Sequence, residues 1–511
     1  MTTSFGQIPE REPRSASGRP RLASRWWALS ALVLSVLVIG LDATVLNVAL
    51  PTLAVDLGAT TGELQWIVDA YLVVFAALLL PAGVFGDRFG RKKLLVAGLV
   101  AFGVASAVAM LADSTGWLIA GRALMGAGAA LITPLSTSIL PTIFPPAERA
   151  RAIAVFTAGM AVGLPLGPIV GGYLLDHFWW GSIFLINLPA VVVALVAVVV
   201  LVPESRDPQR KGADVPGTLL SVTGLAALVF GVIEAPVRGW GSPLVLGPIA
   251  AGLLLLLLFV RVEARAQAPM MDLALFRDRT FVWGALGATV VSLGMMGVLF
   301  VAPLYLQAVQ GFDAMGTGLR IVPMVAGLMA GGLVGERLIR LLSLRVIMAA
   351  GLLLLAAGLM AGAVLPGDYP YTATWLALAG AGVGLTMVPA MDGLLALLPP
   401  DRTGMGNGVL QALRQTGGAF GVAGLGSLLS SVYVHALPPA APAPVRDSVA
   451  TAVRVPGWAD AGRAAFADAM DAVLWACGGL MVLAALLIVT FMRSAPAEPA
   501  GESTHELAGT A

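Results

Sequence analysis

GVFGDRFGRKK, residues 83–93, is the stretch whose reading decides this chain. Gly83, Gly86, Asp87, Arg88 and Arg91 return at the same spacing as Gly332, Gly335, Glu336, Arg337 and Arg340. Each copy stands where an apolar run of membrane-crossing length ends. A repeat of this kind implies two related helical halves, and such halves commonly pivot about a site between them. The copies differ at one informative point, since Ile339 occupies the place of Gly90.

Composition agrees with a membrane location. Of 511 residues 58% are hydrophobic and only 12% charged, far from the usual balance of a soluble domain. A helix needs about 20 apolar residues to cross the hydrocarbon, and fourteen runs qualify between residues 26 and 492. The predicted fold is an all-α membrane protein of 14 transmembrane helices. An even number of spans puts both ends on one side. All but seven of the 30 basic residues lie in loops and tails on that side; Arg238, Arg446, Arg454 and Arg463 lie opposite, and Arg122, Arg320 and Arg414 fall within spans. Basic loops stay inside, so both termini are expected in the cytoplasm. The polar, basic start does not read as a cleaved leader.

The offset between the repeats, 249 residues, exceeds what six spans require, so something is inserted between the halves. The expected division is a cytoplasmic tail (1–25), an N-terminal six-helix half (26–203), an inserted two-helix segment with its flanking loops (204–280), a C-terminal six-helix half (281–492) and a second tail (493–511). By composition the tails are expected to be disordered. The Ala- and Pro-rich segment Val434–Asp468 is expected to form a mobile outer loop. One cysteine, Cys477, excludes an internal disulfide, and His177, His435 and His505 stand too far from other ligands for a metal site to be expected.

Two sequence patterns carry mechanism. In residues 83–93 the glycines permit a sharp turn, while Asp87 can accept from a helix N-terminus or from an arginine, as a latch would. In residues 159–172, GMAVGLPLGPIVGG, Gly159, Gly163, Gly167 and Gly171 form one stripe for close helix packing, Gly172 follows, and Pro165 and Pro168 interrupt the backbone ladder.

The hinge, with its acid, both arginines and its glycines, resembles the signature of the major facilitator superfamily. Three further segments resemble its fourteen-span drug:proton antiporter branch: LDATVLNVALP (Leu41–Pro51) in span one, Arg122 followed by GAGAA from Gly126 in span four, and the span-five glycine stripe, similar to the antiporter signature. The family pattern carries Gln where this chain has Met125. The resemblance implies two pseudo-symmetric halves and proton-coupled efflux of lipophilic, often cationic, small molecules or antibiotics by alternating access. It implies no cofactor, the proton gradient being the energy source.

Charges inside a membrane span are costly, so each needs a partner, water or a function. Asp42 in span one is the candidate proton site, with Arg122, which keeps its proton, as the group that holds or releases it. Asp69, Asn47, Glu234 and Gln307 are candidate substrate-cavity residues, with an exposed vestibule as the alternative place for Asp69 and interfacial anchoring beside Arg238 as that for Glu234. Asp392 and Arg414 are a candidate gate pair, with snorkelling as the alternative for Arg414. Asn187 and Gln415, and as an alternative reading Asn47 and Gln307, are candidate hydrogen-bonding links between helices.

The reading is therefore a secondary transporter, not an enzyme, monomeric in the lipid bilayer, with a small molecule and protons as partners and no nucleic acid. No Gly-Lys dipeptide occurs, which excludes the phosphate-binding loop of a primary pump. A dedicated exporter or symporter of one endogenous metabolite, or a transporter-like sensor, remain the alternatives. With 3 lysines against 27 arginines and abundant Ala and Gly, the chain points to a high-GC bacterium and hence to a bacterial inner membrane.

Overall fold

A computed structural model describes residues 22–206, 214–266, 273–339, 341–364, 369–396, 398 and 403–493. Both tails, apart from residues 22–25 and 493, and Arg340 lie outside the described residues. The described chain is almost wholly helical: α1 (Leu22–Asp56), α2 (Thr61–Phe89), α3 (Arg91–Met110), α4 (Thr115–Ile143), α5 (Pro146–His177), the short α6 (Ser182–Leu185) leading into α7 (Asn187–Leu201), α8 (Val215–Arg238), α9 (Pro243–Glu263), α10 (Arg279–Leu304), α11 (Ala314–Leu338), α12 (Leu344–Val364), α13 (Tyr369–Ala396), α14 (Thr403–Ala436), two short helices α15 (Ala443–Asp447) and α16 (Val449–Ala452), and α17 (Ala459–Phe491). Counting α6 and α7 together, fourteen of these are long enough to cross a bilayer; thirteen also contain a clearly apolar stretch of 18 residues, and the remaining one is the Gly- and Pro-rich α5. The face on which α1 begins and α17 ends is called the inner face below.

Small residues set the packing. The glycine stripe of α5 lies on α1, where a methyl group at Gly163 would meet the Leu37 carbonyl at 2.9 Å and one at Gly167 would land on Thr44 Oγ1. The helix runs unbroken through Pro165 and Pro168. In the other half Gly380 and Gly384 of α13 approach the α11 backbone, while Gly382 approaches α12. These contacts substitute for the hydrophobic effect, which gives little drive to helix association inside lipid. The helices α8 and α9 pack on each other, and α8 in turn packs on α2 and α14. Ser427 Oγ of α14 donates to Val232 O of α8 at 2.8 Å.

The halves are clasped on the outer side. Asp176 at the end of α5 accepts from the first two amides of α11, Ala314 N at 3.3 Å and Met315 N at 3.0 Å. Gln65 Nε2 of α2 donates to Val422 O and Ala423 O of α14 at 3.1 and 2.9 Å. Gln307 Nε2 reaches Val48 O of α1 at 2.9 Å.

The segment after α14 is not the mobile loop expected from its composition. Val445 and Ala452 are fully buried, Tyr433 Oη donates to Val445 O at 2.8 Å, and Thr61 Oγ1 donates to Asp447 O at 2.9 Å. The short helix α16 packs against α1 and α17.

Candidate functional site

The site begins with Asp42, buried on α1. Its Oδ2 accepts from Arg122 Nη1 of α4 at 2.6 Å, and its Oδ1 accepts from Asn187 Nδ2 of α7 at 3.1 Å. Arg122 is anchored a second time, since its Nε donates to Ile67 O of α2 at 3.1 Å and its guanidinium carbon lies 4.3 Å from the centre of the Tyr71 ring. Asn187 also reaches Ser106 Oγ of α3 at 3.4 Å. One ion pair thus joins α1 and α4 directly and ties in α2, α3 and α7. The arginine Nη1 also lies 3.8 Å from Met125 Sδ, so the thioether fills the position of the amide in the family pattern. A charge pair buried this deeply persists only if its remaining polar capacity is satisfied. Asn187, Ile67 O and the Tyr71 ring meet that need.

Next to the pair lies a cavity of about 50 Å³. Its wall is Ala43, Leu46 and Asn47 from α1, Val68, Tyr71, Leu72 and Phe75 from α2, and Arg122 from α4; the C-terminal half adds Met296 and Gln415. The volume falls well short of the roughly 300 Å³ at the low end for drug-sized ligands, so the halves must separate further to admit one.

Of the four expected cavity residues the structure places only Asn47 in the wall. Gln307 is occupied in the outer clasp, and Glu234 pairs with Arg238 at 2.5 Å on the partly exposed end of α8, which corrects their assignment to the cavity. Asp69 lies outside the cavity wall and is no vestibule carboxylate either: its side chain is 0% exposed and neither oxygen has a hydrogen-bond partner. It lies one helical turn from Gln65 on the same face of α2, and Trp66, three residues before it, meets Phe230 of α8. Tertiary cover from α14 and α8 therefore buries a position that depth alone left ambiguous.

The hinge is more elaborate than the sequence suggested. Asp87 Oδ1 holds Arg91 Nε at 2.8 Å, and Arg91 Nη1 donates to Ser138 O of α4 at 3.1 Å. Gly90 adopts φ +112°, a conformation open to glycine, and α3 starts immediately after it. Glu204 caps that start, accepting from Lys92 N at 3.1 Å and Lys93 N at 3.2 Å. Gly86 packs against Leu135, Gly83 stands open, and Arg88 is exposed over the Phe89 ring. In the second copy Gly335 packs on Pro389, Gly332 on Val388, and Glu336 and Arg337 are exposed. Asp392 and Arg414 form no ion pair. Asp392 is exposed, whereas Arg414 Nη1 donates to Gln411 Oε1 at 2.9 Å. The gate pair is thus corrected: α14 begins at Thr403, which carries Arg414 deeper than its expected place near the start of the span.

Tyr71, Asp176 and Glu204 are site or latch residues that the sequence reading did not name. Tyr71 and Asp176 do have local signals, standing in WIVDAY beside Asp69 and just beyond the glycine stripe. Glu204 has none, because its partner amides lie 111 and 112 residues away.

Residues 32–422 match the family model described as Major Facilitator Superfamily. This chain belongs to that superfamily. As a major facilitator it is 33% identical to the tetracenomycin C resistance and export protein of Streptomyces glaucescens, over 81% of this chain and 77% of that one. It is 34% identical to the multidrug efflux pump LfrA of Mycolicibacterium smegmatis, covering 80% of this chain and 81% of that protein. Among solved structures, a bacterial homolog of the human lysosomal transporter Spinster, in an inward-facing and unoccupied conformation, superposes with a TM-score of 0.67 at 18% identity, over 93% of this chain and 100% of that one. The major facilitator fold makes this a multi-pass membrane protein and a secondary transporter, not an enzyme.

Proposed function

We propose that this major facilitator exports lipophilic small molecules, antibiotics among them, in exchange for protons, across a bacterial inner membrane with both termini in the cytoplasm. The observation that carries the reading is the buried Asp42–Arg122 pair beside a cavity shared by both halves. A proton delivered to Asp42 cancels the carboxylate charge and frees the arginine, which also grips Ile67 O and Tyr71. Because Tyr71 and Asn47 line the cavity, a change at the pair is felt at the substrate wall. Coupling follows if proton and substrate prefer opposite states or exclude one another. The outer clasp of Asp176, Gln65 and Gln307 must part when the cavity opens outward.

Asp69 is the second acid in this scheme. Without any donor it is best accommodated as a neutral carboxylic acid, so α2 can carry a proton near the outer clasp. Each proton entering down the gradient supplies about 2.3 kcal/mol per 100 mV, with the pH difference in addition. Similarity to proteins named as resistance and export proteins supports the direction and the substrate class. The test is substrate-evoked proton release from acid-loaded inside-out vesicles. Release with wild type that disappears with Asp42→Asn is the expected result, whereas no response from wild type to any lipophilic antibiotic or dye overturns the reading.

A further inference from the structure

Arg414 has no acid to answer it. It stands eleven residues into α14, about 16 Å along the axis from Thr403, too deep for its stem to return the head group to the inner surface. Asp42 is taken by Arg122, no donor reaches either oxygen of Asp69, and Asp392 is exposed and forms no ion pair with Arg414. Among the described residues the approach to the cavity therefore holds one uncompensated positive charge.

The geometry of that charge is specific. Nη1 is tied to Gln411, one turn inward of the cavity residue Gln415 on the same helix face, so the guanidinium folds toward the inner side of the cavity. Nε is buried and unpaired, and the hydrogen bond that the guanidinium makes is the one at Nη1. The unpaired Nε–Nη2 edge, uncovered as the halves part, is the one that matches the two oxygens of a carboxylate. Tyr71 and Phe75 in the same wall suit a flat aromatic body.

We infer that Arg414 receives an acidic group, a carboxylate or an ionised phenol, on the exported molecule, so that the preferred substrates are lipophilic aromatic acids rather than cations. This rests on the export reading above and narrows its substrate class. A positive charge at the inner approach repels a cationic substrate, while the central carboxylate that would attract one is already matched by Arg122. Exchange of an anion for a proton also moves charge inward in both directions of the cycle, so the membrane potential drives both steps.

The experiment is binding to the purified full-length protein in detergent, with 1-pyrenebutyrate and its methyl ester as probes, for wild type, Arg414→Gln and Arg414→Lys. The expected wild-type preference for the acid over the ester is about tenfold or more, the size of a charged hydrogen-bonded contact. The ratio falls to near one in Arg414→Gln. In Arg414→Lys, which keeps the charge without the fork, it is intermediate, so the proposal stays testable if the glutamine variant does not fold. A wild-type ratio near one, or a ratio unchanged in both variants, overturns it. No proton gradient enters this measurement: gradient-driven export of ethidium without any acid preference refutes this inference alone, and an acid preference without proton-coupled movement refutes the export reading alone.

Discussion

The embedded arginine of the N-terminal half is closed on an acid, whereas that of α14 in the C-terminal half is not. Asp42 is held by Arg122 and Asn187; Arg414 has only the amide of Gln411. The hinge copies differ in the same sense. Around Asp87 the chain is fixed by Arg91, by the positive φ of Gly90 and by Glu204, which caps the start of α3 from the segment after α7, while Glu336 is exposed and Ile339 sits in ordinary helical geometry, φ −62°. Duplication copied the backbone plan without its charge pairing. In this reading one half stores and releases a proton, and the other is free to meet a ligand.

The sharpest way to break that contrast is to disarm the closed pair. Asp42→Asn keeps an acceptor for Arg122 and should preserve the fold while abolishing substrate-evoked proton movement in inside-out vesicles. Arg122→Met should be worse for stability, because it strands Asp42 in the interior at a cost of about 3–5 kcal/mol. Thermal melting of the purified protein should show the loss, and the double variant Asp42→Asn/Arg122→Met should recover much of it through the coupling of the pair.

Packing offers a smaller effect that separates the halves. Gly167→Ala drives a methyl group onto Thr44 and should cost about 1–3 kcal/mol. Gly424→Ala in α14 meets nothing within 4 Å and should leave the melting temperature in place. A melting shift in Gly424→Ala as large as that of Gly167→Ala would contradict the assigned α1–α5 contact. Smaller again, Glu204→Gln should lose about 0.3–1 kcal/mol as the cap on α3 weakens, whereas Glu336→Gln should be silent.

The smallest expected effect is in the outer segment. Burial, and then the nearby Glu63 carboxylate, raise the pKa of Asp447 above the usual carboxylate range. The folded state therefore binds this proton more readily than the unfolded chain, so its contribution is complete at low pH and is lost as pH rises through the raised value. Hydrogen-exchange protection across residues 437–458, taken relative to the intrinsic rate at each pH, should be greater at pH 5 than at pH 7, and Asp447→Asn should flatten that difference.

Much of this architecture was legible from residue type alone. Fourteen apolar runs, the repeated hinge and the four-residue glycine period are one-dimensional signals, because length, helical period and small size act locally. The Asp42–Arg122 partnership was also within reach, since two embedded opposite charges on nearby spans have strong reason to meet. Asp69, Glu234, Gln307 and Arg414 were not, because each had two readings that only neighbours could separate. Glu234 found a partner one turn away, and Gln307 found a backbone carbonyl in the other half.

The amino-acid sequence by itself determined that this chain crosses a membrane as two related helical halves, and it marked the buried acid and arginine, because the cost of polar groups in hydrocarbon is the same wherever the chain goes. Only the tertiary structure decided which charge is matched and which is left open. Pairing depends on distances across helices whose registers are set by close glycine packing, and that information belongs to no single segment.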